Sequence, residues 1–181
     1  MSNKEKKIGL VGVGRMGGNM ARNLKDKGYQ VSCVNDVAQD VAASLAEELD
    51  CAHAASLTEV TASSDIIGTV VTNDDAMESI FLGGGDNLLQ DAGGKIFINC
   101  ATLSPGIHVK LEAAAAEVGA ETLEGCMASS ITQAREGTLY LMVGGKKDTF
   151  EKVKDLLEDL SVNLRFVGGA GKAAQVKALV N

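Results

Sequence analysis

Three glycines near the start of the chain have the spacing of a phosphate-binding turn. Gly12, Gly14 and Gly17 follow an apolar run (residues 8–13) and precede a segment with helical spacing of apolar residues. In such a turn the first glycine permits the bend, the second lets a pyrophosphate approach the backbone, and the third lets the helix pack closely on the strand. The helix start adds N–H groups and a partial positive charge. The spacing predicts dinucleotide binding; the alternative is that the glycines serve packing alone.

A second polar position lies where the adenosine ribose would be held. The apolar run 31–34 ends in Asn35 and Asp36, about twenty residues beyond the glycine turn, where dinucleotide folds place a polar or acidic side chain. We assign both residues to the cofactor and expect Asp36 to repel the 2′-phosphate of NADP, so the predicted cofactor is NAD. The alternatives are that Asp36 points into solvent or caps the helix that follows. Arg15 and Arg22 could also reach a phosphate from the other side.

The elements that position these residues alternate along the chain. Apolar runs of strand length alternate with helical patterns, which predicts an α/β fold of the Rossmann type: a doubly wound, mostly parallel sheet with helices on both faces. The strand candidates are residues 8–13, 31–35, 66–71, 96–100, 121–124, 138–143 and 162–167, with 51–54 as a short addition. The helix candidates are residues 37–49, 56–62, 74–81, 104–119, 150–160 and 172–181. Further residues assigned to cofactor contact are Val13, Met16, Val71, Thr72 and Asn73.

Composition excludes several classes of partner. The net charge of −7 makes nucleic acid and anionic membranes unlikely partners, and no run approaches the ~20 apolar residues of a spanning helix. We expect a cytoplasmic protein with buried, reduced thiols. The cysteines form no CxxC pair, so we predict no metal site, and we assign His108, which lies in a helical segment, a structural role. The four cysteines are Cys33, Cys51, Cys100 and Cys126.

Several motifs, taken in order, resemble those of the β-hydroxyacid dehydrogenases. This family includes 3-hydroxyisobutyrate and 6-phosphogluconate dehydrogenases and tartronate semialdehyde reductases. The resemblance implies an NAD(P)-binding Rossmann domain over residues 1–168, followed at 169–181 by the start of an interdomain helix. The family's all-helical domain, which mediates dimerisation, would follow, so we expect a homo-oligomer only with that domain. The motifs are GLVGVGRMGGNMARNL at residues 9–24 and the segments 99–105, 123–130, 136–145 and 169–181.

The resemblance also assigns the catalytic residues. Lys177 occupies the position of the family's catalytic lysine, and Asn181 that of the asparagine four residues on. On a helix these two side chains share one face. Burial disfavours the charged form of a lysine, so Lys177 could accept the proton of a substrate hydroxyl as hydride leaves the carbon. The alternatives are a solvated helix lysine and Lys172 as the catalytic residue, since the gap from Gly171 to Lys177 is longer than usual in the family.

The predicted substrate loop departs from the family pattern. Relatives usually read Ser-Gly-Gly where this chain has Ala128, Ser129 and Ser130. We assign these three residues to substrate binding; the alternative is that the serines cap a helix, with Gln133 in its first turn. Thr102 keeps its place in a motif near the nicotinamide ribose, although an alanine precedes it.

These observations predict the NAD(P)-binding domain of an oxidoreductase. The reaction is hydride transfer between a nicotinamide cofactor and a small β-hydroxy acid, similar to 3-hydroxyisobutyrate. One alternative is a reductase of another substrate class, such as a semialdehyde or an imine, which the altered 128–130 loop would permit. The other is a non-catalytic module that senses dinucleotides.

Overall fold

The protein forms one sheet of eight strands. The computed structural model describes residues 2–180, and the strand order is β3-β2-β1-β4-β5-β6-β7-β8. The chain moves from β1 to one edge and then returns to continue on the other side, so the order reverses between β1 and β4. Ligands of doubly wound sheets bind in the crevice at the carboxyl ends of such strands. The strands are β1 Lys7–Val11, β2 Gln30–Asn35, β3 Ala52–His53, β4 Ile66–Thr69, β5 Ile96–Asn99, β6 Glu121–Met127, β7 Leu139–Gly145 and β8 Ser161–Gly168.

Helices cover both faces of the sheet, as the alternating pattern predicts. One buried apolar cluster lies under α1, α2, α6 and α7, and a second lies under α3, α4 and α5. A small third cluster joins α8 to β6 and β7. The fold is therefore the predicted Rossmann-type α/β architecture. The helices are α1 Arg15–Asp26, α2 Gln39–Leu49, α3 Leu57–Ala62, α4 Asp74–Leu82, α5 Pro105–Glu117, α6 Ile131–Glu136, α7 Lys147–Leu160 and α8 Lys172–Leu179.

Some predicted boundaries differ from the structure for identifiable reasons. β1 ends at Val11 rather than at residue 13, because Gly12 has φ +83° and turns the chain out of the strand. β6 continues to Met127 because its last residues pair antiparallel with β7, with Cys126 opposite Met142. The other neighbouring strands are parallel. β7 and β8 therefore both run against the other six strands.

Two further expectations concern the burial of the cysteines and the start of helix α5. The four cysteines are free; three are buried as predicted, and Cys51 is only half-buried. Ser104 stands at the N-cap of α5, but its hydroxyl forms no cap bond and instead donates to the carboxylate of Asp74. Between residues 2 and 180, no helix combines the length and the apolar character needed to cross a bilayer.

Candidate cofactor and active site

The three glycines of the predicted turn have different structural roles. A Cβ at Gly12 would lie 2.2 Å from the carbonyl oxygen of Val70, and one at Gly17 would lie 2.0 Å from the carbonyl oxygen of Gly12. Close packing alone therefore requires glycine at these two positions. Gly14 is exposed at the N-cap of α1, and a Cβ there would meet nothing within 4 Å. Packing does not explain Gly14, whereas the approach of a pyrophosphate does, so the turn fits the predicted dinucleotide.

The carboxylate of Asp36 lies against this turn. The Val13 N–H donates to its Oδ2 (2.8 Å), and the Ala38 N–H donates to its Oδ1 (2.9 Å). The second bond forms a turn ahead of α2, which begins at Gln39; Ala38 is its N-cap and no side chain caps it, so Asp36 does not cap this helix. The first bond holds a half-buried negative charge beside the glycine turn. Asp36 thus stabilises the turn ahead of α2 and keeps the charge that the NAD prediction requires.

Asn35 and Arg22 are both engaged in contacts within the protein. The buried Asn35 side chain donates to the carbonyl of Ala54 (2.9 Å), and its backbone carbonyl accepts the Gly12 N–H (2.9 Å). Asn35 therefore stabilises the glycine turn through these two contacts. Arg22 forms a two-point ion pair with Glu48 at 2.6 and 2.7 Å. Its guanidinium group is directed to α2, which disfavours the alternative that it meets a cofactor phosphate.

The other predicted cofactor residues lie at the carboxyl edge of the strands. Met16 is half-buried against the first core cluster, and Asn73 caps α4 by accepting the Ala76 N–H (2.8 Å). Their cofactor contacts stay predictions. The others are Val13, which is buried, Arg15 and Thr72, which are exposed, and Val71, which is half-buried.

One cavity brings Lys177 and Thr102 together. It encloses about 200 Å³ between α8, the start of α5 and the end of β6. Lys177 is half-buried in its wall, whereas Lys172 is exposed and donates to Gln175 Oε1 (3.2 Å). This placement supports Lys177 over Lys172. Asn181 lies outside the described residues. The cavity is lined by Thr102, Leu103, Ser104, Pro105, Cys126, Ala174, Lys177 and Ala178.

The serines of the 128–130 loop stabilise local structure. The Ser130 hydroxyl accepts the Gln133 N–H (3.3 Å), and the Ser130 N–H donates to Gln133 Oε1 (2.8 Å), which completes a capping box at α6. The Ser129 hydroxyl accepts the Tyr140 N–H (2.7 Å). Ala128 packs in the third cluster, beside α8. Ser130 therefore caps helix α6, as the alternative states. The substrate role of the loop stays a prediction.

Comparison with known proteins identifies the family. The family described as the NAD binding domain of 6-phosphogluconate dehydrogenase matches residues 7–169. The chain belongs to this family. Two relatives are 2-(hydroxymethyl)glutarate dehydrogenase of Eubacterium barkeri and 2-hydroxy-3-oxopropionate reductase of Escherichia coli, which are 31% and 32% identical over 178 and 173 residues. These alignments cover 98% and 94% of the chain and 58% of each relative.

A solved structure supports the same assignment for this NAD-binding domain. The 3-hydroxyisobutyrate dehydrogenase of Mycobacterium tuberculosis, solved with L-serine, superposes with a TM-score of 0.89 at 26% identity. The match covers 99% of this chain and 59% of that chain. The domain thus spans a little more than half the length of these relatives.

The buried carboxylate of Glu124 ties helix α8 to the sheet of the domain. The Ala173 N–H donates to its Oε1 at 2.7 Å, and the N–H groups of Gly171 and Ala174 also contribute. Burial raises the pKa of Glu124, although these backbone bonds oppose the shift. Gly144 stands opposite Glu124 on β7, and a Cβ there would lie 2.0 Å from Oε1. Local sequence patterns do not predict this contact; the glycine at position 144 is the signal that could have indicated it.

Glu124 also belongs to a buried group with His108 and Cys126. The His108 Nε2 lies 3.4 Å from Glu124 Oε2, and one ligand atom from each residue falls within 4.8 Å of the others. Burial lowers the pKa of His108 to about 4, with a smaller opposing effect of Asp74. Burial raises the pKa of Cys126 to about 12; Glu124 adds to this shift and Lys177 opposes it. Sequence spacing gave no sign that these residues converge.

Proposed function

We propose that this chain serves as the NAD-binding domain of an oxidoreductase that transfers a hydride between NAD and a small β-hydroxy acid. One observation carries the proposal: the cavity beyond β5 and β6 places Lys177 and Thr102 in a common wall. The names of the two relatives, a hydroxymethylglutarate dehydrogenase and a hydroxy-oxopropionate reductase, support a hydroxy acid or its carbonyl counterpart as substrate. The free cysteines favour a reducing compartment such as the cytoplasm.

Four residues that line the cavity have a part in this proposed reaction. The chemistry that NAD supplies when bound is acceptance of a hydride. Lys177 takes the proton from the substrate hydroxyl in oxidation and returns it in reduction. Thr102 is exposed at the cavity mouth, where its hydroxyl can orient the ribose, and buried Cys126 and Ala174 form an apolar wall that limits water. The family resemblance gives Asn181, which lies outside the described residues, a supporting part beside Lys177.

The chain alone is expected to bind the cofactor but to catalyse poorly. A cavity of about 200 Å³ is smaller than the ~300–1,000 Å³ of typical ligand pockets, and the exposed Thr102 leaves its mouth open to water. The family's helical domain, which the resemblance implies after the NAD-binding domain, would supply a second wall of the cavity and the contacts between protomers. The test is calorimetric titration with NADH, followed by steady-state assays with 3-hydroxyisobutyrate and NAD. Substantial turnover by the 181-residue chain would contradict the expectation.

The role of Lys177 is tested in the full-length protein. Lys177→Ala should lower kcat by about 10² to 10⁴, the usual contribution of a positioned acid–base group, with little change in NADH affinity. Lys172→Ala is the matched control, because it removes the same charge from the first turn of the same helix. A loss of kcat in Lys172→Ala but not in Lys177→Ala would show that the motif is misplaced. Cofactor binding without turnover of any hydroxy acid would favour the dinucleotide-sensing alternative.

A further inference from the structure

The group of His108, Glu124 and Cys126 contains buried polar atoms that form no hydrogen bond, although two of them, His108 Nε2 and Glu124 Oε2, face each other at 3.4 Å. Within residues 2–180, neither ring nitrogen of His108 forms a hydrogen bond, and neither does Glu124 Oε2. The two residues are only 3% and 2% exposed. Buried polar atoms without a hydrogen bond are rare in proteins, so the facing His108 Nε2 and Glu124 Oε2 call for a ligand that both can contact.

The three side chains come from two elements that face each other. Glu124 and Cys126 are alternate residues of β6 and so point to the same face of the sheet, where α5 brings His108 over them. Imidazole nitrogen, thiolate sulfur and carboxylate oxygen are the three ligand types of zinc sites in proteins. We propose that His108 Nε2, Glu124 Oε2 and Cys126 Sγ bind one zinc ion, with the fourth position open towards the cavity that Lys177 lines.

The distances are close to those of a tetrahedral site. Two ligand atoms that each lie about 2.0 Å from a tetrahedral ion are about 3.3 Å apart, and His108 Nε2 and Glu124 Oε2 are separated by 3.4 Å. The three ligand atoms lie within 4.8 Å of one another, so a shift of the Cys126 side chain by roughly 1 Å completes the set. Cys126 also lines the cavity, which gives the ion a path from solvent.

The electrostatic balance of the filled site is favourable for a buried position. A zinc ion with one thiolate and one carboxylate has no net charge, which avoids the cost of an isolated buried charge. The thiol of Cys126 releases its proton to solvent when the ion binds. The other carboxylate oxygen of Glu124 already accepts the Ala173 N–H, the kind of outer contact that orients a metal ligand. The ion would thus connect β6, α5 and α8.

Cobalt(II) provides a direct spectroscopic test on the isolated chain. The reduced, metal-free protein, without a histidine tag, is titrated with Co²⁺ and then with Zn²⁺. We expect one equivalent of Co²⁺ to give visible ligand-field bands of a tetrahedral site and a near-ultraviolet thiolate-to-cobalt band, and Zn²⁺ to displace it. Cys126→Ser should remove the thiolate band. His108→Asn should weaken binding by at least about tenfold, because the loss of even an outer contact of a metal ligand typically lowers affinity by that much.

The chain offers matched controls for both substitutions. Cys51→Ser removes the half-buried cysteine outside the group, and His53→Asn removes the other histidine. Both should bind Co²⁺ as the unmodified chain does. Cys126→His keeps a ligand, so it should bind Zn²⁺ without the thiolate band of its Co²⁺ form, provided that thermal unfolding shows a folded variant. The proposal would be overturned if the unmodified chain bound no stoichiometric Co²⁺. It would also be overturned if neither Cys126→Ser nor His108→Asn, made singly, changed the binding of Co²⁺.

Discussion

Preference for NAD over NADP should depend on the charge of Asp36. Its carboxylate is held beside the glycine turn by the Val13 N–H at 2.8 Å and by the Ala38 N–H at 2.9 Å. Asp36→Asn removes the charge and keeps the shape, but its amide NH2 replaces one of the two acceptor oxygens, so one of these two backbone bonds is lost and thermal unfolding is measured alongside. Asp36→Arg reverses the charge. We expect the first substitution to weaken the preference for NADH and the second to shift it towards NADPH.

The size of the effect follows from the distance at which a 2′-phosphate would meet the carboxylate. Two unit charges 4 Å apart interact by about 4 kcal/mol at an effective dielectric constant of about 20. Asp36 is half-exposed, so solvent and salt reduce this energy severalfold. About 1.4 kcal/mol would still remain, which is a tenfold preference for NADH. Because the repulsion is screened, the preference should shrink as the salt concentration rises from about 0.01 to 1 M.

The assay is calorimetric titration of each variant with NADH and NADPH at two salt concentrations. Asp91→Asn is the matched control, because Asp91 is exposed and precedes β5, whereas the glycine turn follows the carboxyl end of β1. Its φ of +54° is one that asparagine tolerates. This control should leave the ratio of the two affinities unchanged. Equal affinities in the unmodified chain, or an unchanged ratio in Asp36→Asn, would refute the electrostatic argument. A preference that does not depend on salt would point to a steric cause instead.

Four further substitutions separate packing from binding. Gly14→Val should lower NADH affinity by at least about tenfold, or 1.4 kcal/mol, with only the small loss of stability that valine causes at an N-cap. Gly17→Ala should reduce the free energy of unfolding by about 1–3 kcal/mol in urea titrations. Similar effects of both on unfolding would argue against a phosphate at Gly14. Gly144→Ala should destabilise the docking of α8, seen as faster hydrogen exchange at the Ala173 amide. Ser130→Ala should cost about 0.5–2 kcal/mol of stability through its lost cap; a raised KM of the full-length protein at unchanged stability would instead indicate substrate contact.

Local patterns predict the cofactor half of the site well. The glycine turn, the strand that precedes it and the carboxylate at the end of β2 lie within 30 residues of sequence, and their spacing is set by the geometry of one β-α-β unit. Helix α5 is equally well marked, by Pro105 at its first position and by Gly119 with φ +75° beyond its end. Such signals act through backbone conformation, which depends on neighbouring residues and not on the tertiary fold.

The part of the site formed by β6, α5 and α8 depends on contacts that no local pattern encodes. The antiparallel extension of β6 requires β7 to return beside it after the short helix α6. The capping box of α6 is only a weak sequence signal for that helix. His108 and Glu124 are brought together by packing of α5 on the sheet, and each alone resembles an ordinary buried or surface residue. Sequence reasoning therefore assigned His108 a structural role and gave Glu124 none.

The position of Lys177 is determined more by the sheet than by its own helix. α8 spans only Lys172–Leu179, and isolated helices of this length are marginal in water, so docking must supply most of its stability. Ala173 and Ala174 are buried against β6 and β7, and Glu124 accepts the first N–H groups of the helix. Because these anchors lie one turn before Lys177, a shift of the Glu124 carboxylate moves the lysine along the cavity wall. Gly144, where a Cβ would lie 2.0 Å from Glu124 Oε1, therefore matters for the placement of the proposed catalytic amine by leaving room for that carboxylate.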